Sequence, residues 1–241
     1  MADNRSILIV VDTNRPDQVE CKPLLEAISK VCVVDHHRRA ADYIDPVVVN
    51  LHEPYASSAA ELTTEVLQYA VEKADVLPIE AKSLMAGIFL DTKSFNVRTG
   101  ERTFEAAAFL RKKGADTVNV RNMFSSSIDT YMDKYKVVSK AEVVGNCAVS
   151  TIDEIVKNSR LLSAQAADEM LTIRDVYASF VISRIDSKTV NISARSYGKI
   201  NVQLVMEKLG GGGHQNMAAA QLSDCSIAQA KEKLIEIIKS L

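Results

Sequence analysis

Short apolar runs that stop at acidic or imidazole side chains are the main pattern in the N-terminal half of the chain. Three such runs occupy residues 6–11, 30–34 and 84–90, and they end at Asp12, Asp35 and Asp91. The runs are rich in valine, leucine and isoleucine, which is typical of strands buried in a sheet. A continuous apolar run of this length also fits a buried helix, and this alternative applies to residues 84–90. The pattern predicts three strands that each end on a polar side chain.

The side chains that follow these runs are candidates for one shared site. The second run is followed by an acid and two imidazoles, Asp35, His36 and His37. Because the carboxyl ends of parallel strands meet at one edge of a sheet, Asp12, this group and Asp91 are expected to converge there. A single aspartate after a strand is more often a helix cap or a turn residue than a ligand. Three runs with the same kind of ending favour a site.

The rest of the first 141 residues alternates between helical and extended patterns. Helices are expected at residues 20–29, 58–73, 78–85, 103–113, 117–124 and 128–141, and a short strand at 46–49. Ser58 with Glu61 three residues later predicts a capping box at the start of one helix. Alternation of strands and helices is typical of a parallel sheet covered by helices. A first α/β domain is therefore predicted over residues 1–141.

A second, smaller α/β domain is predicted over residues 142–241, where the composition shifts. Strands are expected at residues 147–152, 176–185, 190–194 and 217–222, and helices at 161–172, 201–209 and from 226 onward. A hairpin at residues 186–188 would join two of these strands. The fold class expected for the whole chain is α/β, with a parallel-sheet domain followed by this smaller one.

Four consecutive glycines, residues 210–213, are the most unusual stretch of the second domain. One glycine would be an ordinary helix C-cap, but four cost considerable chain entropy. Glycine allows backbone N–H groups to converge on an anion, and an arginine offers a planar fork for phosphate. A plain turn and an exposed arginine remain the simpler alternative. The candidates for holding a phosphate or a base are Arg195, Ser196, Gly211, Gly212, Gly213 and His214.

Composition and charge narrow the possible partners. The formal net charge is -2 and tryptophan is absent, so neither a basic field nor an extended stacking surface for long nucleic acid is expected. The four cysteines are widely separated, which is typical of reduced thiols in the cytoplasm. No apolar run reaches the roughly 18 residues that a membrane span needs. A cytoplasmic protein with a small anionic ligand is expected.

The two clusters together suggest one reaction class. Aspartate and histidine ligands suit Mn²⁺, Mg²⁺ or Zn²⁺. Two such ions, about 4 Å apart, would activate a water molecule and stabilise the transition state of a phosphoryl displacement. A phosphate-binding second domain beside such ligands predicts hydrolysis of a phosphodiester.

These motifs resemble those of the DHH phosphoesterase family. The runs Val11-Asp12-Thr13, Asp35-His36-His37 and Gly87 to Thr92 look like its second, third and fourth motifs. The runs 193–196 and 210–214 look like its associated C-terminal domain. Residues 35–39, 53–58 and 91–95 are further similar to the membrane-anchored cyclic-di-AMP phosphodiesterases of Firmicutes-type bacteria. The resemblance covers nearly the whole chain.

The resemblance implies an enzyme that uses two Mn²⁺ ions to open cyclic-di-AMP into linear pApA. It implies metal ligation by Asp12, His36 and Asp91, and a supporting or substrate-facing role for Asp35 and His37 beside them. The residues expected to hold the substrate are Arg195, Ser196, the glycine run and His214. By analogy with the family, a homodimer is expected. The parent protein is expected to be membrane-anchored, with this part in the cytoplasm, and to act in cyclic dinucleotide signalling.

The chain departs from the family at its first motif, a histidine followed by two spaced aspartates. Residues 1–11 contain Asp3 and no histidine. The DHH domain is therefore expected to lack its first strand and helix, and the metal site to lack about half of its ligands. Weak or absent metal binding and low or no activity are predicted for the chain alone. One of Asp12 and Asp91 is expected to hold a proton because two carboxylates repel.

Two other functions fit the same residues. The first is a nanoRNase or oligonucleotide phosphatase of the same superfamily, which would act on pApA or short RNA. The second is a nucleotide-binding module without catalysis, in which the C-terminal domain still holds a phosphate. Ligand binding without turnover would indicate the second.

Overall fold

The computed structural model describes residues 5–39, 41–70 and 76–240, which fall into two compact units. The first unit ends at Ser125 and the second begins at Ser126. The helix 128–138 therefore groups with the second unit, whereas the domain limits at 141 and 142 stay a prediction. The expected helix 58–73 runs partly into residues 71–75, which lie outside the described residues, as does Asp3.

The first unit contains a three-stranded parallel sheet in the order β1-β2-β3. Its strands are β1 (Leu8–Val11), β2 (Val31–Asp35) and β3 (Val49–His52). Every second residue of β2 is buried, which places the β-branched side chains of one face in the core. A short 3-10 helix, Pro16–Gln18, and α1, Lys22–Ala27, connect β1 to β2. The parallel pairing confirms the alternation of strand and helix inferred from the sequence.

The third strand lies later in the chain than predicted. The sequence indicated residues 46–49, but the structure pairs Val49–His52 with β2. The strand follows a connection that includes Pro46, which cannot donate a hydrogen bond to a ladder. The shift places His52 opposite Asp35 in the sheet. The third parallel strand therefore also ends on a polar side chain, in this case an imidazole.

Four helices complete the first unit: α2 (Ala59–Ala70), α3 (Pro78–Asp91), α4 (Glu101–Lys112) and α5 (Thr117–Asn122). Ser58 accepts a hydrogen bond from the amide of Glu61 at 3.0 Å, as a cap should. The Glu61 carboxylate, however, accepts from Ser57 rather than from Ser58. The helical core between α2, α3 and α4 includes Met85, Ile88 and Leu110, all nearly inaccessible to solvent.

Of the two alternatives for residues 84–90, the helix is confirmed and the strand is wrong, because these residues form the second half of α3. Met85, Ala86 and Ile88 are buried while Leu90 is exposed, which is a helical and not an alternating pattern. The helix ends with the hydroxyl of Thr92 donating to the carbonyl of Ile88 at 2.6 Å. Asp91 therefore comes from the end of a helix and not from the edge of the sheet.

The second unit is built on a six-stranded mixed sheet in the order β4-β5-β6-β7-β9-β8. Its strands are β4 (Glu142–Val144), β5 (Cys147–Ile152), β6 (Ala178–Arg184), β7 (Thr189–Ser196), β8 (Gly212–His214) and β9 (Met217–Ser223). Its helices are α6 (Ile128–Val138), α7 (Ser159–Met170), α8 (Val202–Glu207) and α9 (Ile227–Lys239). The predicted elements of this segment are all present, with Asn201 and Ser226 capping α8 and α9.

Separate apolar clusters hold the second unit together. One cluster joins β6, β7 and β9 to α8 and α9, with Phe180, Ile192 and Leu234 fully buried. Another joins α6 and α7 to the sheet through Met170 and Val181. The described cysteines are all free, as expected for reduced thiols. Among the described residues, no helix is long and apolar enough to cross a bilayer.

Part of the glycine run forms an edge strand of the sheet and is not a plain turn. Gly212–His214 is a short strand that pairs antiparallel with β9. A Cβ atom on Gly211 would overlap the backbone of Ala219 and would lie 2.6 Å from Cα of Ala220. Close approach of two backbones therefore accounts for part of the run, in addition to any contact with an anion.

We expect the Gly211→Ala substitution to destabilise the protein by about 2–3 kcal/mol, as overpacked sites do. The added methyl group must displace the backbone of β9, because no side chain at that point can move away. Gly212→Ala is the matched control: nothing lies within 4 Å of its Cβ position, so its free energy of unfolding should change by about 0.5 kcal/mol or less. Urea unfolding of both variants measures the difference, and equal effects would contradict the packing explanation.

Candidate metal centre

Three polar side chains converge at the carboxyl edge of the parallel sheet. Asp12 follows β1, and His36 and His37 follow β2. One ligand atom from each lies within 4.8 Å of the others. Asp12 has a φ angle of 65°, a left-handed conformation that short polar residues tolerate better than most. The sheet thus positions the predicted ligands Asp12 and His36 and adds the ring of His37 to the group.

The buried imidazole of His36 lies between two carboxylates. Its Nε2 atom is 3.3 Å from Oδ1 of Asp12 and 3.8 Å from Oδ2 of Asp91. Its Nδ1 atom is buried and has no hydrogen-bond partner among the residues the structure describes. The end of helix α3 therefore delivers Asp91 to the group that the sheet edge supplies, as the sequence predicted, although from a different element.

Asp35 lies beneath this group and is completely buried. Its Oδ1 atom is 2.7 Å from Nδ1 of His37 and accepts a second hydrogen bond from the His37 amide. Its Oδ2 atom accepts a hydrogen bond from the side chain of Asn14. Asp35 has no exposed surface, and its contacts fix the orientation of the His37 ring.

The charges of this network stabilise one another. Burial opposes ionisation of Asp35, but hydrogen bonds from His37 and Asn14 outweigh it and lower the pKa of Asp35 to about 2. The hydrogen bond to Asp35 in turn raises the pKa of His37 above its usual value, and the nearby Asp12 and Asp91 act in the same direction. The pair therefore resembles the carboxylate–histidine arrangements that hold metal-ligating imidazoles in place.

Asp91 behaves in the opposite way to Asp35. Burial raises its pKa, the charge of Asp12 raises it further, and the imidazole of His36 partly opposes the rise. The sequence predicted that one of Asp12 and Asp91 would hold a proton because the two carboxylates repel. The direction at Asp91 agrees, although loss of solvent is the larger cause. A bound cation would reverse this preference.

The donor set fits a divalent metal ion. Oxygen and imidazole nitrogen ligands suit Mn²⁺ or Zn²⁺, and Nε2 of the buried His36 lies near the oxygens of two acids. Asp12, His36, His37 and Asp91 are enough for one ion completed by water. Among the described residues, these four side chains are too few to hold the two ions expected from the sequence.

Two supporting residues were not found from the sequence. Asn14 is buried and donates to Asp35, and His52 donates from Nε2 to the carbonyl oxygen of His37 at 2.6 Å. A third apolar strand that ends on a histidine was the available signal for His52. It was missed because the strand was predicted at residues 46–49, which end before His52. Asn14 follows Asp12 by two residues, but only the fold shows that its amide reaches Asp35.

The predicted phosphate-binding residues lie together at one end of the second sheet. Arg195 in β7 and His214 in β8 are both paired with Met217 of β9. Residues paired across strands project from the same face, and two strand spacings separate Arg195 from His214 by about 10 Å. His214 is exposed, whereas Arg195 is mostly buried, with Nε 3.5 Å from Asp168. Ser196 is buried and accepts from the amide of Gly198.

Comparison with known proteins agrees with both units. Residues 1–88 match the DHH family N-terminal domain, and residues 145–241 match the DHHA1 domain. The chain belongs to the DHH phosphoesterase family. In the DHH domain, the match includes the strand ends that carry Asp12, Asp35, His36 and His37. In the DHHA1 domain, it includes β7, the glycine run and His214.

Curated DHH relatives are similar along nearly the whole chain. The cyclic-di-AMP phosphodiesterase PdeA of Listeria monocytogenes is 46% identical over 235 residues, which is 97% of this chain and 36% of that protein. The cyclic-di-AMP phosphodiesterase GdpP of Bacillus subtilis is 44% identical over 238 residues, again 97% of this chain and 36% of the relative. The chain thus spans about a third of the length of these relatives.

A solved structure has the same fold. An exopolyphosphatase-related protein from Bacteroides fragilis superposes with a TM-score of 0.83 and is 20% identical. The match covers 97% of this chain and 72% of the other. At that identity the likeness supports the mixed α/β architecture of a DHH protein and carries no argument about its substrate.

Proposed function

We propose that this chain is the hydrolytic part of a metal-dependent phosphodiesterase that opens cyclic-di-AMP into linear pApA. The observation that carries the proposal is the convergence of Asp12, His36 and His37 at the sheet edge, with Asp91 beside them. The relatives named cyclic-di-AMP phosphodiesterases, which share this stretch at 44–46% identity, support the choice of substrate.

In this proposal Asp12, His36, His37 and Asp91 would hold Mn²⁺. A divalent ion held there would supply Lewis-acid activation of water and would offset the charge of the phosphate. Asp35 keeps the ring of His37 oriented, and Asn14 fixes the carboxylate of Asp35. Burial of His36 strengthens the electrostatic interactions of its own ring.

The second unit would bind the substrate. Arg195, Gly212 and His214 lie on one face of the sheet, because Arg195 and His214 both pair with Met217 and Gly212 is two residues from His214. Arg195 would contact a phosphate, and exposed His214 would contact a phosphate or a base. Gly212, whose Cβ position is open, is the glycine that leaves room for a ligand. Ser196 and the packed glycines Gly211 and Gly213 would shape this surface.

The test is hydrolysis of cyclic-di-AMP and of pApA with and without Mn²⁺, with the products separated by chromatography. It uses this chain and a chimaera that adds the residues preceding the matched region in the Listeria relative. We expect Mn²⁺-dependent formation of pApA by the chimaera, and weak turnover by this chain because its donors suffice for one ion. Product that forms equally without metal, or no product from either protein, would contradict the proposal.

The same assay separates the two other candidate functions. Faster cleavage of pApA than of cyclic-di-AMP would indicate an oligonucleotide phosphatase. Saturable binding of cyclic-di-AMP by the chimaera without turnover would indicate a nucleotide-binding module.

A further inference from the structure

The loop that follows Asp91 has an unusual backbone. Lys93, Ser94 and Phe95 are consecutive non-glycine residues with φ angles of 46°, 61° and 64°, and Arg98 has a φ of 49°. Left-handed residues with a side chain normally occur singly, because Cβ then crowds the following carbonyl oxygen. Runs of such strain occur at ligand clamps and active sites, where the surrounding structure enforces them.

Hydrogen bonds from Thr92 hold this loop in its strained shape. The fully buried Thr92 hydroxyl accepts from the amide of Phe95 at 2.9 Å. The Thr92 carbonyl accepts from the amides of Asn96 and Val97 at 2.8 and 2.9 Å. The loop is thus fixed at the residue that follows Asp91, which makes its geometry part of the candidate metal centre's surroundings.

The loop carries one ring of a row of four phenylalanines. Phe104 and Phe95 stack with centroids 5.8 Å apart and planes 18° from parallel. Phe95 meets Phe89 edge to face at 5.9 Å, and Phe89 stacks on Phe124 at 5.8 Å. The row is not closed into the core, because Phe104 is 58% exposed and Phe124 is 42% exposed.

An exposed arginine, Arg98, lies in the same loop as Phe95, three residues later. Its charge opposes the rise in the pKa of Asp91. An exposed aromatic ring with a cation in the same loop complements a nucleotide, whose base stacks while its phosphate is attracted to the arginine. A second copy of the chain could cover the exposed phenylalanines, but its binding would give no role to Arg98 or to the strained loop. A nucleotide is therefore the better match.

We infer that Phe95 and Phe104 form a nucleobase-stacking subsite in the first unit, with Arg98 directed to the attached phosphate. The nature of the ligand, a purine nucleotide, rests on the proposed function. This subsite is separate from the residues in β7, β8 and β9 to which phosphate and base binding were assigned above. It would place one base beside the carboxylate group at the end of α3.

The absence of tryptophan from the sequence allows a direct test. Phe104→Trp and Phe124→Trp each introduce a single indole, at opposite ends of the same row. AMP is the probe, and ribose 5-phosphate, which has the same sugar and phosphate without a base, is its control. Thermal melting verifies that both variants fold, and NMR of the wild-type chain with AMP checks the same two ends without substitution.

We expect AMP to quench the emission of the Phe104→Trp variant with saturation, and ribose 5-phosphate to bind at least about fivefold more weakly, since stacking contributes that much per base. The emission of Phe124→Trp should not change beyond collisional quenching. Ring-current shifts should appear at Phe95 and Phe104 and not at Phe124.

Equal responses of the two variants, equal binding of AMP and ribose 5-phosphate, or emission that changes with protein concentration and not with AMP would overturn the inference. The last result would indicate a contact between copies of the chain. Saturable quenching by AMP, with no product from either this chain or the chimaera, would leave the subsite standing and refute the proposed function. Hydrolysis of cyclic-di-AMP without quenching by AMP would refute the subsite and leave the proposed function standing.

Discussion

The Asp12→Asn variant is expected to lose Mn²⁺ affinity by more than about 100-fold. Loss of a residue that only supports a ligand costs 10–100-fold, and Asp12 is itself part of the ligand group. The amide removes the charge and one good oxygen donor. Asparagine tolerates the left-handed backbone at this position, so the φ of 65° does not add strain. Titration followed by the EPR signal of free Mn²⁺ measures the change.

The control for Asp12→Asn is Asp17→Asn, which removes the same charge five residues later. Asp17 is paired with Arg15 at 2.7 Å and is half-exposed, so its loss should leave Mn²⁺ affinity within about twofold. Both variants should unfold at the same urea concentration as the wild type within error. If Asp12→Asn binds Mn²⁺ like the wild type, Asp12 is not a ligand and the site must be assigned elsewhere.

Asp35→Asn is expected to destabilise the metal-free protein by about 2–3 kcal/mol. The new amide group would point a donor at the donor of either His37 or Asn14, and a buried donor without an acceptor is costly. The estimate stays below that for a fully buried ion pair because His37 is half-exposed. Urea unfolding in EDTA, with Asp17→Asn again as the surface control, measures the loss.

The pH dependence of stability gives a second signature for Asp35. Its pKa in the folded protein is lowered to about 2, so its contribution is present above about pH 4 and is lost as the pH falls toward 2. His37 has the opposite sign: its raised pKa stabilises the fold below about pH 6.5, and this contribution is lost as the pH rises. Asp35→Asn should reduce the change in stability with pH on both the acidic side, which depends on Asp35, and the neutral side, which depends on His37. An unchanged pH profile would contradict the pairing of Asp35 with His37.

The part of the site carried by the sheet could be predicted from the sequence. Two strands end on Asp12 and on Asp35-His36-His37, and parallel pairing brings such ends together. What the strand pattern could not show is the pairing within the group, because Asn14 and His52 reach it through side-chain geometry. The sequence therefore identified which residues lie together at the sheet edge. It did not identify the hydrogen bonds by which Asn14 and His52 hold them in place.

Two segments could be described only in part from the sequence, for specific physical reasons. Residues 84–90 are apolar on several sides, as a helix between other helices requires, and such a run fits a buried strand equally well. The glycine run suggested phosphate binding, which stays a proposal, but two of its glycines are also required by contact with β9, and that contact arises only when distant residues pair. In both cases tertiary packing, which local patterns do not encode, decided the structure.

Anomalous diffraction at the manganese absorption edge, from crystals of this chain grown with Mn²⁺, would show whether the sheet edge holds a metal ion. We expect a peak within about 2.2 Å of a carboxylate oxygen of Asp12 and of a ring nitrogen of His36, with Asp91 and His37 completing the group. A map with no peak at the carboxyl edge of the parallel sheet, or with the strongest peak bound elsewhere, would contradict it.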